Sequence, residues 1–136
     1  MYKTIFFALL VGSLLNGCSS NYYKFAKNSS VKKSQKPKTI KLTQIGIASY
    51  YGYKWHGRTT ANGEKLNIYA MTAAHKFLPF NTRVKVTDLD TGKSIIVRIN
   101  DRGPYIKGRI IDLTDAAAKR LGILHKGIAR VRIETI

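Results

Sequence analysis

Arg83-Val84-Lys85-Val86-Thr87-Asp88, Leu89-Asp90-Thr91-Gly92-Lys93 and Ser94-Ile95-Ile96-Val97-Arg98-Ile99-Asn100 follow one another without a break. The first run alternates strictly and puts its valines on one face, which is the period of a strand with one buried side. Asp90-Thr91-Gly92 is a hairpin turn signal. The third run returns with Ile95, Val97 and Ile99 on one face. Arg102-Gly103-Pro104 then breaks it. Further on, Ile110 to Leu113 is a short buried strand. Thr114 reads as an N-cap, with Asp115 in the first turn, Ala117 and Leu121 on one face and Gly122 past the end. Ile128 to Ile133 is a closing alternating strand. Upstream, Ile45 to Tyr51 is a β-type run ending at Gly52. A polar loop from Tyr53 to Asn67 follows it. Tyr69 to His75 is apolar and short enough to be strand or helix. Some six strands, one short helix and no βαβ rhythm predict an all-β fold, a small six-stranded barrel.

The 136 residues suit one domain. Hydrophobic residues make up 44% and aromatics 10%, a globular composition. With one Cys and three scattered His, neither a disulfide framework nor a metal site is expected, and no cofactor. Lys and Arg number 24 against 7 acids, a net charge of +17. Such a balance first suggests nucleic acid, and the N-terminus argues against that partner. Ile5 to Leu15 is an apolar run of 11 residues behind Lys3. It suits an export signal and is too short to span a bilayer, which takes ~20 residues.

The run ends at Leu15-Asn16-Gly17-Cys18, which resembles the bacterial lipoprotein processing site. The resemblance implies a signal peptide over 1–17 and acylation of Cys18. Ser19 after the Cys implies the outer membrane, with the protein on its periplasmic face. Residues 19–44 hold seven Lys and no acid and show no period. Residues 18–44 are therefore expected to be the acylated Cys and a solvated tether, spanning roughly 25–30 Å as a random coil. The folded part is expected over 45–136, with 16 Lys and Arg against 7 acids, a net of +9.

Within that part six motifs occur in order: Gly46-Ile47-Ala48-Ser49-Tyr50-Tyr51-Gly52, Thr60-Ala61-Asn62-Gly63-Glu64, Thr72-Ala73-Ala74-His75, Leu78-Pro79-Phe80, Asn100-Asp101-Arg102-Gly103-Pro104 and Ile111-Asp112-Leu113. Together they closely resemble the rare lipoprotein A (RlpA) family. The resemblance implies a double-psi β-barrel, the fold of expansins. It also implies an endolytic peptidoglycan lytic transglycosylase. Such an enzyme cleaves the MurNAc-β-1,4-GlcNAc bond, preferably of peptide-free strands, to leave 1,6-anhydro-MurNAc ends during wall remodelling and daughter-cell separation. Many members carry a C-terminal sporulation-related repeat domain. This sequence stops at Ile136, so the expectation is a member without one, in which either the barrel finds substrate alone or a partner supplies targeting.

Breaking a glycosidic bond needs a proton donor to the leaving oxygen and stabilisation of an oxocarbenium-like centre. A lytic transglycosylase can use one acid/base group, because the C6 hydroxyl of the sugar is the nucleophile. Asp88 and Asp90 flank the hairpin turn, Asp115 suits a helix first turn and Glu134 lies near the end. Asp112 sits in an apolar run, where a buried acid needs a partner such as Arg109. Glu64 and Asp101 remain, each equally readable as a turn acid. The family's catalytic set falls on Glu64, His75 and Asp101. We expect Asp101 as the general acid/base, Glu64 as its partner and His75 orienting a carboxylate. Arg102, beside Asp101, would favour the wrong protonation state unless its side chain points elsewhere. Tyr51, His56, Arg58, Thr60, Asn62 and Arg102 are the expected substrate contacts, as sugar-stacking rings and donors to N-acetyl and lactyl groups. A non-catalytic, expansin-like glycan binder is the alternative.

Overall fold

The computed structural model describes residues 41–136. The expected signal peptide, Cys18 and nearly all of the tether lie outside the described residues. Six strands close into one barrel: β1 (Thr43–Tyr50), β2 (Thr72–His75), β3 (Arg83–Asp88), β4 (Ser94–Asp101), β5 (Arg109–Leu113) and β6 (Ala129–Thr135). One α-helix, α1 (Asp115–Leu121), lies between β5 and β6, and a short 3-10 helix, Tyr53–Trp55, opens the segment expected to be loop. Around the barrel the order is β1-β5-β2-β4-β3-β6. Two pairings are parallel, β1 with β5 and β2 with β4. The other four are antiparallel.

The hairpin β3–β4 has the register its alternation predicts. Val84 faces Val97 and Val86 faces Ile95. All four are buried, as are Ile99, Ile111, Leu113, Val131 and Ile133. With Ala48 of β1 and Ala73 of β2 these residues fill the barrel, and closure leaves no unpaired edge. The turn is tied locally: the Asp88 amide donates to the Lys93 carbonyl at 2.9 Å, and the Asp90 amide donates to Asp88 Oδ1 at 2.9 Å.

The helix has its predicted ends. Thr114 Oγ1 accepts from the Ala117 amide, a cap worth about 1 kcal/mol. Gly122 closes the helix at φ 89°, a conformation glycine adopts freely. Ala117, Ala118 and Leu121 are buried.

Several strand ends shift by one or two residues, at β4, β5 and β6 among them, and the two larger differences lie at β1 and β2. β1 begins at Thr43 rather than Ile45, because Thr43 and Gln44 pair with Glu134 and Ile133 of β6. The ladder thus takes two polar residues that read as tether. Tyr69 to His75, open between strand and helix, yields strand only over Thr72–His75, all four residues buried between β4 and β5.

Candidate active site

The C-terminal ends of β1 and β4 and both ends of β5 open onto a cleft of about 710 Å³. Its walls include Tyr51, Trp55, Arg58, Asp101, Tyr105 and Arg109. Strand ends that run into glycine and proline turns place side chains here on a rigid base.

Asp101 ends β4 and is held at both oxygens. Its Oδ1 accepts from the Ala61 amide at 2.8 Å and the Arg102 amide at 2.8 Å. Its Oδ2 accepts from the Tyr51 hydroxyl at 2.9 Å. Burial, followed by the nearby Asp101 carboxylate, pushes the Tyr51 hydroxyl far up from its ordinary pKa, so it stays a donor. The Oδ1 side is fixed by backbone, while Oδ2 faces a hydroxyl that can rotate.

Arg102 does not set its guanidinium on Asp101. Nη1 donates to the carbonyls of His75 and Leu78 at 3.3 and 2.9 Å. The group stacks 3.8 Å above the Phe80 ring. Only its backbone amide serves the carboxylate, although the residue also lines the cleft.

Glu64 lies in a different setting. Its carboxylate forms a two-pronged pair with Arg98, at 2.8 and 2.9 Å, and accepts from Asn100 Nδ2 at 3.1 Å. The Arg98 hydrogen bonds, then those of Asn100 and Asn62, hold its pKa down at about 2. That grip favours the charged form of Glu64. It is also not among the residues that line the cleft.

His75 reaches neither carboxylate. Its Nδ1 accepts from the amides of Phe77 and Leu78 at 3.2 and 3.1 Å, and its Nε2 lies 3.3 Å from Gln44 Oε1. With Nδ1 accepting, Nε2 carries the proton and donates to Gln44. Burial, aided by Arg102 and Lys76, lowers its pKa and keeps it neutral. The ring joins the start of β1 to the end of β2, and its bonds leave no nitrogen to orient an acid.

The expected substrate contacts divide. Tyr51, Arg58 and Thr60 line the cleft; His56 and Asn62 do not. Arg58 sits 4.7 Å from the Trp55 ring and forms no ion pair among the described residues. Thr60 is buried, its hydroxyl 2.6 Å from Asn62 Oδ1 and 3.1 Å from the Glu64 carbonyl. Asn62 Oδ1 also accepts from the Glu64 amide, so both residues shape the loop. His56 packs between Tyr53 and Tyr69, and its Nδ1 faces the Ile68 amide. Asp112 pairs with Arg109 as expected of a half-buried acid.

Sequence reading missed Arg98 and Asn100 as the partners of Glu64, and Tyr105 as a cleft wall. Arg98 and Asn100 occupy alternate positions of β4, opposite Ile95, Val97 and Ile99. Their shared place on that opposite face was the available signal. Tyr105, 81% exposed, follows the Gly103-Pro104 break, where an exposed aromatic invites a ligand reading.

A closed barrel of double-psi type, with a buttressed carboxylate in an aromatic-walled cleft, is the class that fold and site define. The chain belongs to the lytic transglycolase family, whose pattern matches residues 43–133. It is 59% identical over 92 residues to the endolytic peptidoglycan transglycosylase RlpA of Pseudomonas aeruginosa PAO1, covering 68% of this chain and 27% of that protein. It is 44% identical over 129 residues to the protein of the same name from Neisseria meningitidis serogroup B, covering 95% and 53%. The chain thus spans between about a quarter and about half of these relatives. Among solved structures, the Streptomyces papain inhibitor aligns with a TM-score of 0.55 at 21% identity, over 70% of this chain and 94% of that one. A Clavibacter michiganensis expansin gives 0.55 at 22%, over 70% and 50%. These two likenesses show the fold.

Proposed function

We propose that the chain is an endolytic peptidoglycan lytic transglycosylase acting in the cell envelope, with peptide-free glycan strands as its preferred substrate. The observation that carries the reading is Asp101 in the wall of the cleft, with Tyr51 on Oδ2 and two amides on Oδ1. Asp101 in its acid form gives a proton to the glycosidic oxygen as the C1–O bond breaks. The resulting carboxylate then takes the proton of the C6 hydroxyl as O6 bonds to C1. One group serves twice, no water is consumed, and the product is a 1,6-anhydro end.

Trp55 and Tyr105 offer faces to sugar rings. Arg58, without an acidic partner among the described residues, suits the lactyl carboxylate that is free when a stem peptide is absent. Glu64 supports the loop beside Asp101, and His75 supports the scaffold. Residues 1–17 act as the signal peptide, Cys18 carries the lipid that anchors the protein to the membrane, most simply the outer one, and the following residues are the tether.

Asp101→Asn tests the assignment, because it keeps the shape and removes the acid. General acid/base catalysis contributes typically 10²–10⁴-fold, so cleavage of peptide-free strands should fall by that order while strand binding and the melting temperature persist. Mass spectrometry of the wild-type products should find 1,6-anhydro ends. Reducing ends would make the protein a hydrolase. Binding without any shortening of the strands would establish the expansin-like reading instead.

A further inference from the structure

We propose that Arg98 is a positioning residue for Asp101, acting through Glu64 and the loop of residues 60–64. This inference rests on the reading of Asp101 given above and assigns Glu64 a mechanical part rather than a chemical one.

The loop has few apolar anchors. Ala61, Gly63 and Lys65 are exposed, and Gly63 stands at φ 90°. Its internal bonds, from the Gly63 amide to the Thr60 carbonyl and from the Thr60 amide to the Glu64 carbonyl, shape a tight turn but do not attach it to the barrel. The attachments all go to the last four residues of β4. Glu64 is gripped by Arg98 and Asn100. The Asn62 amide donates to the Asn100 carbonyl at 3.3 Å. The Ala61 amide donates to Asp101 Oδ1 at 2.8 Å.

These contacts form a closed circuit. Arg98 and Asn100 of the strand hold the loop, and the loop returns an amide to the carboxylate at the end of that strand. Arg98 is the strongest grip, since it meets both oxygens of Glu64 in the planar geometry a guanidinium favours. Its Nη1 also donates to Asn81 Oδ1 at 2.9 Å. Asn81 has φ 67°, and its amide donates to the Ile99 carbonyl at 2.7 Å. The guanidinium is thereby braced from a second loop. The Arg98 and Glu64 side chains are 36% and 41% exposed, and exposed pairs add little to global stability. The fold should survive their loss while the loop loosens.

The test uses the full chain as wild type, Arg98→Ala, Arg98→Lys, Glu64→Ala and the double variant Arg98→Ala/Glu64→Ala. Without substrate, hydrogen exchange of the Ala61 amide should lose its protection in Arg98→Ala, while the buried β3 and β4 amides keep theirs. On glycan strands kcat should fall by on the order of 10²-fold, the scale of a small misplacement, with KM little changed. Arg98→Lys, which retains one charged contact, should recover part of the rate. The double variant should be no slower than the slower single one, because one ion pair is lost in each.

The pH profile separates position from chemistry. Without Arg98 the Glu64 carboxyl rises from about 2 toward its ordinary 4.5. A positioning role leaves the acid limb of the rate in place, because the grip is already gone. An upward shift of that limb, additive losses in the double variant, or full protection of Ala61 in Arg98→Ala would each overturn the proposal. A wild type that cleaves no glycan would sink the proposed activity, and the exchange measurement would still decide the link from Arg98 to Ala61.

Discussion

Both nitrogens of His75 are engaged, and the price of removing the ring falls on backbone amides. His75→Ala leaves the Leu78 amide buried and unpaired and costs about 1–3 kcal/mol. Urea denaturation at pH 7 should show that loss, while the folded variant keeps cleavage that Asp101→Asn lacks. The pH dependence follows from the lowered pKa. The unfolded chain binds a proton at this His more readily than the folded one, so the wild type is fully stabilised above the ordinary value of 6.5 and loses stability as pH falls below it. The gap between wild type and His75→Ala should therefore narrow on acidification. The place of Asp101 at a strand end was legible in the sequence, because the run into Gly103-Pro104 is a local signal, whereas its expected role came from the family resemblance. The state of Glu64 was not, because Arg98 lies 34 positions away. Nor could Arg102 be aimed from sequence, since its targets are backbone carbonyls and the face of Phe80.

Strand β1 carries a constraint of its own at Gly46. A Cβ built there would lie 2.5 Å from Ile110 Cγ2 and 3.1 Å from Ile110 Cγ1. Ile110 is β-branched and stiff at χ1, so it cannot swing away cheaply. Gly46→Ala should cost about 1–3 kcal/mol, the usual range for overpacking. Combining it with Ile110→Ala should return part of that loss relative to Ile110→Ala alone, a coupling read from a double-mutant cycle of melting curves. Elements with one buried face, such as β3, β4 and β6, were legible from alternation. β2 was not, because all four of its residues are buried and burial on both faces erases the period. The start of β1 was hidden for the opposite reason, since its first two residues are polar and gain their place only by pairing with β6.

At the scale of the molecule, the proposed anchor makes a separate prediction, motivated by Leu15-Asn16-Gly17-Cys18 at the end of the apolar run. Cells fed labelled palmitate should label the wild type and not Cys18→Ala, and the variant should accumulate unprocessed. An unlabelled wild type that fractionates like the variant would remove the anchor. The barrel adds a geometric corollary. Thr43 and Tyr50 are the two ends of one strand, roughly 23 Å apart at a strand's rise of about 3.3 Å per residue. Tyr50 lines the cleft, whereas Thr43 pairs with Glu134 near the far terminus. The Leu42 and Thr135 backbones bond there too, at 3.0 Å. Handle and jaw therefore sit at opposite poles of this tool. Lys41 and Ile136 both adjoin the handle, at the other end of β1 from Tyr50.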